Sequence, residues 1–332
     1  MPHTSYSEIK LARKCPRAHK YRYGERLARK KPNRPAFIGT ILHEMLHAWV
    51  LCRIHDIVEK DPWDVLKKYK KQYAKLFKEE RELFGDVPAT VTAIFEGYLR
   101  RWRKDGLKYI ASEVPVLTDL TPDIRLVGFI DKIVEDKQGR RFLMDHKFHR
   151  TIPGPEDRFA DIQTLLYFWG WNRENPPEKQ VDGVVWDYGR MKAPTKPELL
   201  QRGGLTKRAN IDTDVHTYRE TIKEHGLKEK DYKDILAKLD GKETTFFERV
   251  WLPAPPKGMI EEVVEDARQT VVVQKHLMKA GIAPRNMSKF NCNYCDYRPL
   301  CEAEIRQLDA DFIRKRDYEN RDWPEEGTDE ED

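Results

Sequence analysis

No run of 18 apolar residues occurs in the chain, so nothing in it reads as a membrane span. The opening decapeptide MPHTSYSEIK contains no apolar signal core. Cysteine is scarce and odd in number, five in 332 residues. That usage argues against a disulfide framework and for buried thiols or a metal site, with the cytoplasm as the expected compartment. No internal repeat is present, which excludes a solenoid or propeller.

Charge, by contrast, is plentiful. Charged residues make up 35% of the chain and hydrophobic ones 39%. The formal net charge is +5, but the last 14 residues, ENRDWPEEGTDEED, hold eight acids and one base. The rest of the chain is therefore strongly basic, about +12. Such a body suits a polyanion such as nucleic acid, and equally a plain solubility surface.

Periodicity predicts helices over 4–14, 37–56, 62–81 and 88–106, then strands over 109–117, 124–135 and 140–148. A helix over 157–174 and a strand over 181–190 follow. Residues 192–250 read as a polar, lysine-rich insertion with a short helix or two, and 258–280 as a closing helix. The expected architecture is one mixed α/β domain over 1–303, with a helical region at 37–106. Residues 304–332 read as an acidic, disordered tail.

Two patterns carry chemistry. The first is His43-Glu44-Met45-Leu46-His47, an H-E-x-x-H. On a helix its histidines share a face and can grip zinc, with Glu44 as general base, as in a metalloprotease. The extended form needs Gly at 50 and His at 53, where Val50 and Arg53 stand. Glu59 or Glu79 remains as a possible third ligand.

The second is a hairpin. Asp136-Lys137-Gln138-Gly139 joins two apolar strands, with Gly139 suited to a left-handed loop position. Pairing 136 with 140 sets Asp131 opposite Asp145, with Cβ atoms about 5 Å apart, and Lys147 on the same face. Opposed carboxylates are destabilising unless a cation lies between them. Oxygen donors favour Mg²⁺ or Mn²⁺, and such a site can activate water against a phosphate. A solvent-facing salt-bridge cluster would show the same residues.

The stretches GTILHEML, VGFIDKI, LMDHK and DIQTLLYFW, in this order, resemble the RecB-type nucleases of the PD-(D/E)XK superfamily. The resemblance spans roughly 5–190 and 285–303 and starts at Gly39, four residues before His43. It implies a restriction-endonuclease-like fold, a mixed central sheet flanked by helices, and a metal-dependent DNA nuclease, an exonuclease or flap-type enzyme acting on single strands or free ends, with a non-catalytic DNA-binding recombination partner built on the same fold as the alternative. By that resemblance His43, Asp131 and Asp145 are metal ligands, joined by the backbone carbonyl of His146. Lys147 is then the catalytic lysine, and Gln163 and Tyr167 lie near DNA. Glu113 matches a further acidic position loosely. No proline precedes Asp131, so the literal P-D is absent.

Cys292, Cys295 and Cys301 form C-x2-C-x5-C, one ligand short of a four-thiolate site. Cys15 can supply the fourth; Cys52, in the apolar AWVLC, reads as a buried thiol. Spacing admits zinc as well as iron. The one-plus-three order resembles a branch of the same superfamily that includes AddB and the CRISPR-associated nucleases of spacer acquisition. That likeness implies a [4Fe-4S] cluster clasping the N- and C-terminal segments. It also implies a role in recombination, repair or phage and CRISPR DNA processing, with a recombination or helicase partner. No G-x-x-x-x-G-K-[ST] occurs, so an unwinding motor would be a separate chain. In the insertion, Lys192, Lys196, Arg202, Lys207 and Arg208 are candidates for phosphate contact and Tyr218 for base stacking.

Overall fold

A computed structural model describes residues 2–31, 33–55, 61–158, 161–201, 203–208, 210–241 and 246–320. Its strands are β1 (His3–Thr4), β2 (Leu27–Arg29), β3 (Lys108–Thr121), β4 (Ile124–Glu135), β5 (Arg141–His149), β6 (Gly183–Arg190), β7 (Phe247–Pro253) and β8 (Tyr318–Asn320). The chain forms two compact units. One comprises 1–33, 116–128 and 257–332; the other comprises 34–115 and 129–256. Strands β3 and β4 contribute a segment to each.

In the first unit the Tyr6–Lys14 helix begins at Ser5, whose hydroxyl accepts from the Glu8 N–H at 3.2 Å. It packs on the Lys257–Lys279 helix. Between them His19 is fully buried, its ring nitrogens 3.0 Å from Glu8 Oε1 and 2.9 Å from Gln274 Nε2. Strands β2 and β8 pair antiparallel over Leu27↔Asn320 to Arg29↔Tyr318. Here the expected disordered tail is corrected. Ala310–Asp317 is helical and Tyr318 is 3% exposed, stacked on Tyr297 in a core with Tyr21, Leu27 and Leu300. Burying that aromatic side chain outweighs the entropy of a polar segment. Residues 321–332, most of the acidic end, lie outside the described residues.

In the second unit, helices Arg34–His55, Pro62–Ala74 and Val87–Trp102 share one apolar core. Arg34–His55 is long and apolar enough to cross a membrane by length and composition. Its Ile38, Ile41, Leu42, Met45 and Leu46 are instead buried against Val91, Ile94 and Phe95. The expected 62–81 helix is two pieces, Pro62–Ala74 and Lys78–Phe84.

The β4–β5 hairpin forms as its loop chemistry requires. Gly139 has φ +79°, Asp136 N–H donates to Arg140 O at 2.9 Å, and Asp136 Oδ1 accepts from Gln138 and Arg140 N–H. Pairs run from Glu135↔Arg141 to Lys132↔Met144, the expected register. Strand β6 adds parallel to β5, and β7 antiparallel to β6, so the sheet is mixed. Strand β7 was hidden in the polar 192–250 region, because FERVWLP alternates weakly and lies mostly at intermediate exposure. The rest of that region is a small helical layer, Val215–Glu224 and Lys233–Asp240, with its own core around Tyr218.

Successive residues of β5 point to opposite faces. Phe142 and Met144 pack with Val50 of the Arg34–His55 helix. On the other face, Asp145 and Lys147 meet the Ile162–Glu174 helix through Thr164 and Gln163.

Candidate active site

The second unit gathers the hairpin acids and the lysine. One step beyond the last β4–β5 pair, the ladder gives way to a side-chain bond: His146 N–H donates to Asp131 Oδ2 at 2.6 Å. Lys147 Nζ lies 2.6 Å from Asp145 Oδ2 and 3.1 Å from Asp161 Oδ2, and donates to Gln163 Oε1 at 3.1 Å. Thr164 Oγ1 donates to Asp145 Oδ2 at 3.4 Å. Burial works against the Lys147 charge, but Asp145 and Asp161 outweigh it and hold the ammonium above the ordinary lysine range.

His43 joins from the Arg34–His55 helix, with Nδ1 3.7 Å from Asp131 Oδ2. The rest of the H-E-x-x-H disperses. Glu44 accepts from the Tyr69 hydroxyl and lies 3.7 Å from Lys68 Nζ. His47 Nδ1 is 2.8 Å from Ser112 Oγ, which donates to the Asp131 backbone carbonyl at 3.0 Å. His47 therefore supports the strand that carries Asp131. Glu79 sits in the Lys78–Phe84 helix and is exposed; Glu59 lies outside the described residues.

Glu113 stands in β3 with φ +53°, a left-handed conformation that a non-glycine residue adopts at a cost. Burial, with Asp131 adding to it, pushes its carboxyl up to about 7. Gln163 and Tyr167 share a helix face as expected, but that face points inward. Tyr167 is 6% exposed, and burial raises its hydroxyl to about 12. The charges of Asp145, Lys147 and Asp131 all act on that hydroxyl.

His146 turns its side chain away from that centre into a buried row that spacing did not predict. In register across three strands stand His146, Asp187 and Arg249. His146 Nδ1 is 3.1 Å from Asp187 Oδ2, within ion-pair distance but without hydrogen-bond geometry. Tyr98 donates to Asp187 at 2.5 Å, and Arg249 pairs with Asp187 at 3.3 Å and Asp105 at 2.7 Å. Burial keeps His146 neutral, pushing it down to about 3. Burial opposes the Asp187 charge, yet Arg249 and the donated Tyr98 hydroxyl hold it ionised. A charged residue inside apolar GVVWDYGR and a lone arginine in FERVWLP were the available signals. Only strand register joins them.

Among the described residues, no three His, Cys, Asp or Glu side chains are gathered as a metal-ion group. Lys147 sits against Asp145, and the His146 N–H donates to Asp131. Two carboxylates and an imidazole remain a donor set suited to Mg²⁺ or Mn²⁺.

In the first unit, Cys15, Cys292, Cys295 and Cys301 line one cavity of about 400 Å³ with Tyr21 and Tyr297. All are free thiols, and Arg285 Nε donates to Cys301 Sγ at 3.3 Å. The four share that cavity's lining, but no three of them come together as a metal-ion group among the described residues. Cys52 belongs to the other unit.

Two of the insertion's candidate phosphate contacts are paired within it. Lys192 pairs with Asp212 at 2.6 Å and Lys196 with Glu224 at 2.7 Å, while Lys207 donates to Asp231 O. Tyr218 is fully buried and donates to Thr206 O, so base stacking on it is corrected. Arg202 lies outside the described residues. A groove of about 750 Å³ between the Val87–Trp102 and Val215–Glu224 helices is more basic. Its Arg101, Arg103, Lys104 and Lys223 have no carboxylate partner among the described residues.

A family model described as the PD-(D/E)XK nuclease superfamily matches residues 3–302. No curated protein matches the chain. Among solved structures 22 chains match. One, titled "Crystal structure of SSO0001", is 12% identical with a TM-score of 0.33, covering 81% of this chain and 95% of that one.

Proposed function

Since the chain belongs to the PD-(D/E)XK nuclease superfamily and has its mixed α/β fold, we propose that it is a divalent-metal-dependent deoxyribonuclease centred on Asp131, Asp145 and Lys147. The observation that carries this is the lysine itself. Lys147 lies 2.6 Å from Asp145 on one strand face, and Asp131 is pinned across the hairpin by the next backbone N–H.

His43, Asp131 and Asp145, with the His146 carbonyl, would hold Mg²⁺ or Mn²⁺. When bound, the ion supplies Lewis acidity and positive charge at the scissile phosphate. Lys147, kept protonated, places a second positive charge where the displacement builds negative charge. Thr164 and Gln163 orient the two catalytic side chains. His47 and Ser112 hold the Asp131 backbone, and the buried His146–Asp187–Arg249 row ties β5 to β6 and β7.

The polyanion is DNA, single-stranded or with a free end, gripped beyond the site by the basic groove. The four cysteines hold a [4Fe-4S] cluster, with zinc as the alternative, which clasps the terminal segments. The setting is cytoplasmic, in recombination, repair or CRISPR-linked and phage DNA processing, in the manner of the AddB-like branch. The H-E-x-x-H protease reading loses its support, because Glu44 and His47 serve Tyr69 and Ser112.

The test is anaerobic purification with iron and sulfide analysis, then cleavage of end-labelled DNA with Mn²⁺. Activity lost in Asp145→Ala and Lys147→Ala is expected. Cleavage retained in both variants refutes the site, and cluster-loaded protein that binds DNA without cutting any form refutes the enzyme.

A further inference from the structure

The Ile162–Glu174 helix starts in an unusual way. Ser5, Asp61, Asp86, Asp214, Ser288 and Asp309 each begin a helix in this chain, and each side chain accepts a first-turn N–H. Asp161 occupies the same position but makes no such bond. Its carboxylate is 3.1 Å from Lys147 Nζ instead, with its side chain 15% exposed. A residue placed to cap its own helix forgoes that role, a pattern expected at functional sites.

The charge balance explains what the diversion is for. Asp145 Oδ2 carries Lys147 at 2.6 Å and Thr164 at 3.4 Å. A carboxylate that takes a divalent cation cannot keep an ammonium equally tightly, because the two cations repel. Lys147 then needs other acceptors to stay in place. Asp161 and Gln163 are those acceptors, both from the same helix start. That helix is anchored by Leu165 and Leu166, which are fully buried.

We propose that Asp161 is a positioning residue for Lys147, holding its ammonium at the site when Asp145 is committed to a cation. The inference rests on the nuclease reading above. It predicts that the position trades local helix capping for placement of the lysine.

Serine is the discriminating substitution, because it caps a helix well but carries no charge. In the full-length protein, Asp161→Ser should keep or raise the thermal midpoint. Its kcat on DNA with saturating Mn²⁺ should fall by roughly tenfold or more, with KM changed less than about twofold. Asp161→Glu should recover part of kcat. In Mn²⁺-loaded protein without DNA, acylation of Lys147 read by peptide mass spectrometry should rise in Asp161→Ser and fall back in Asp161→Glu. Wild-type kcat and unchanged Lys147 labelling in Asp161→Ser, alongside an inactive Asp145→Asn, overturn the positioning role alone. A midpoint that falls in step with kcat overturns it in favour of a structural role. Full cleavage by Asp145→Asn overturns the nuclease centre and this inference with it.

Discussion

Replacing Lys132 with methionine should stabilise the protein, and by more at pH 6 than at pH 9. Lys132 follows Asp131 in β4, is 1% exposed, and its Nζ has no hydrogen-bond partner among the described residues. The ammonium faces the rings of Trp49 and Tyr109 at 5.7 and 5.9 Å. Burial, only partly offset by Asp187, brings it down from 10.5 to about 7. At about 1.36 kcal/mol per pH unit, the charged form costs roughly 5 kcal/mol relative to water. Below pH 7 the folded and unfolded chains both carry the proton, so the penalty is complete. Between 7 and 10.5 only the unfolded chain keeps it, and wild-type stability rises with pH. By pH 9 roughly 3 kcal/mol has been recovered. Methionine has similar volume and no proton to lose, so its advantage should shrink by about that amount. Urea unfolding followed by tryptophan fluorescence at both pH values measures the difference. An advantage that stays constant or grows from pH 6 to pH 9 refutes the reasoning.

Three further outcomes are expected. His43→Ala should lower DNA cleavage by roughly tenfold or more, whereas His47→Ala should cost about 1 kcal/mol of stability through its Ser112 contact and spare most cleavage; equal losses in a cleavage assay would reopen the zinc reading. Asp187→Asn strips a fully buried counter-charge from Arg249 and should destabilise by about 3–5 kcal/mol in denaturant titration, and a loss well below 1 kcal/mol would contradict the buried row. In an Asp145→Asn background, neutralising Arg101, Arg103 and Lys104 to glutamine should flatten the salt dependence of DNA affinity by about 0.7–0.9 in log–log slope per lost phosphate contact. An unchanged slope removes the groove from the DNA path.

The hairpin was the most legible part of the chain. Its loop length and Gly139 set the register, and side-chain alternation then put Asp145 and Lys147 on one face. Both facts are local, so they survive translation from sequence to structure. His43 and His47 were separable only by family resemblance, since four residues apart on a helix they look equivalent. Their different partners, Asp131 and Ser112, come from other strands. Tyr167 shows the limit of periodicity: it gives the shared face with Gln163 but not which way that face turns.

What the sequence determined by itself was therefore local: the helices, the hairpin register, the spacing of the acids and lysine, and the cysteine pattern. These follow from backbone sterics and from periods of two and 3.6 residues. Only the tertiary structure decided that Asp161 serves Lys147 rather than its own helix, and that Lys192 and Lys196 are already paired. It alone placed Asp187 and Arg249 in one row behind the site. Each of those is a charge choosing a partner through space, across contacts of long sequence separation, and no short-range pattern encodes that choice.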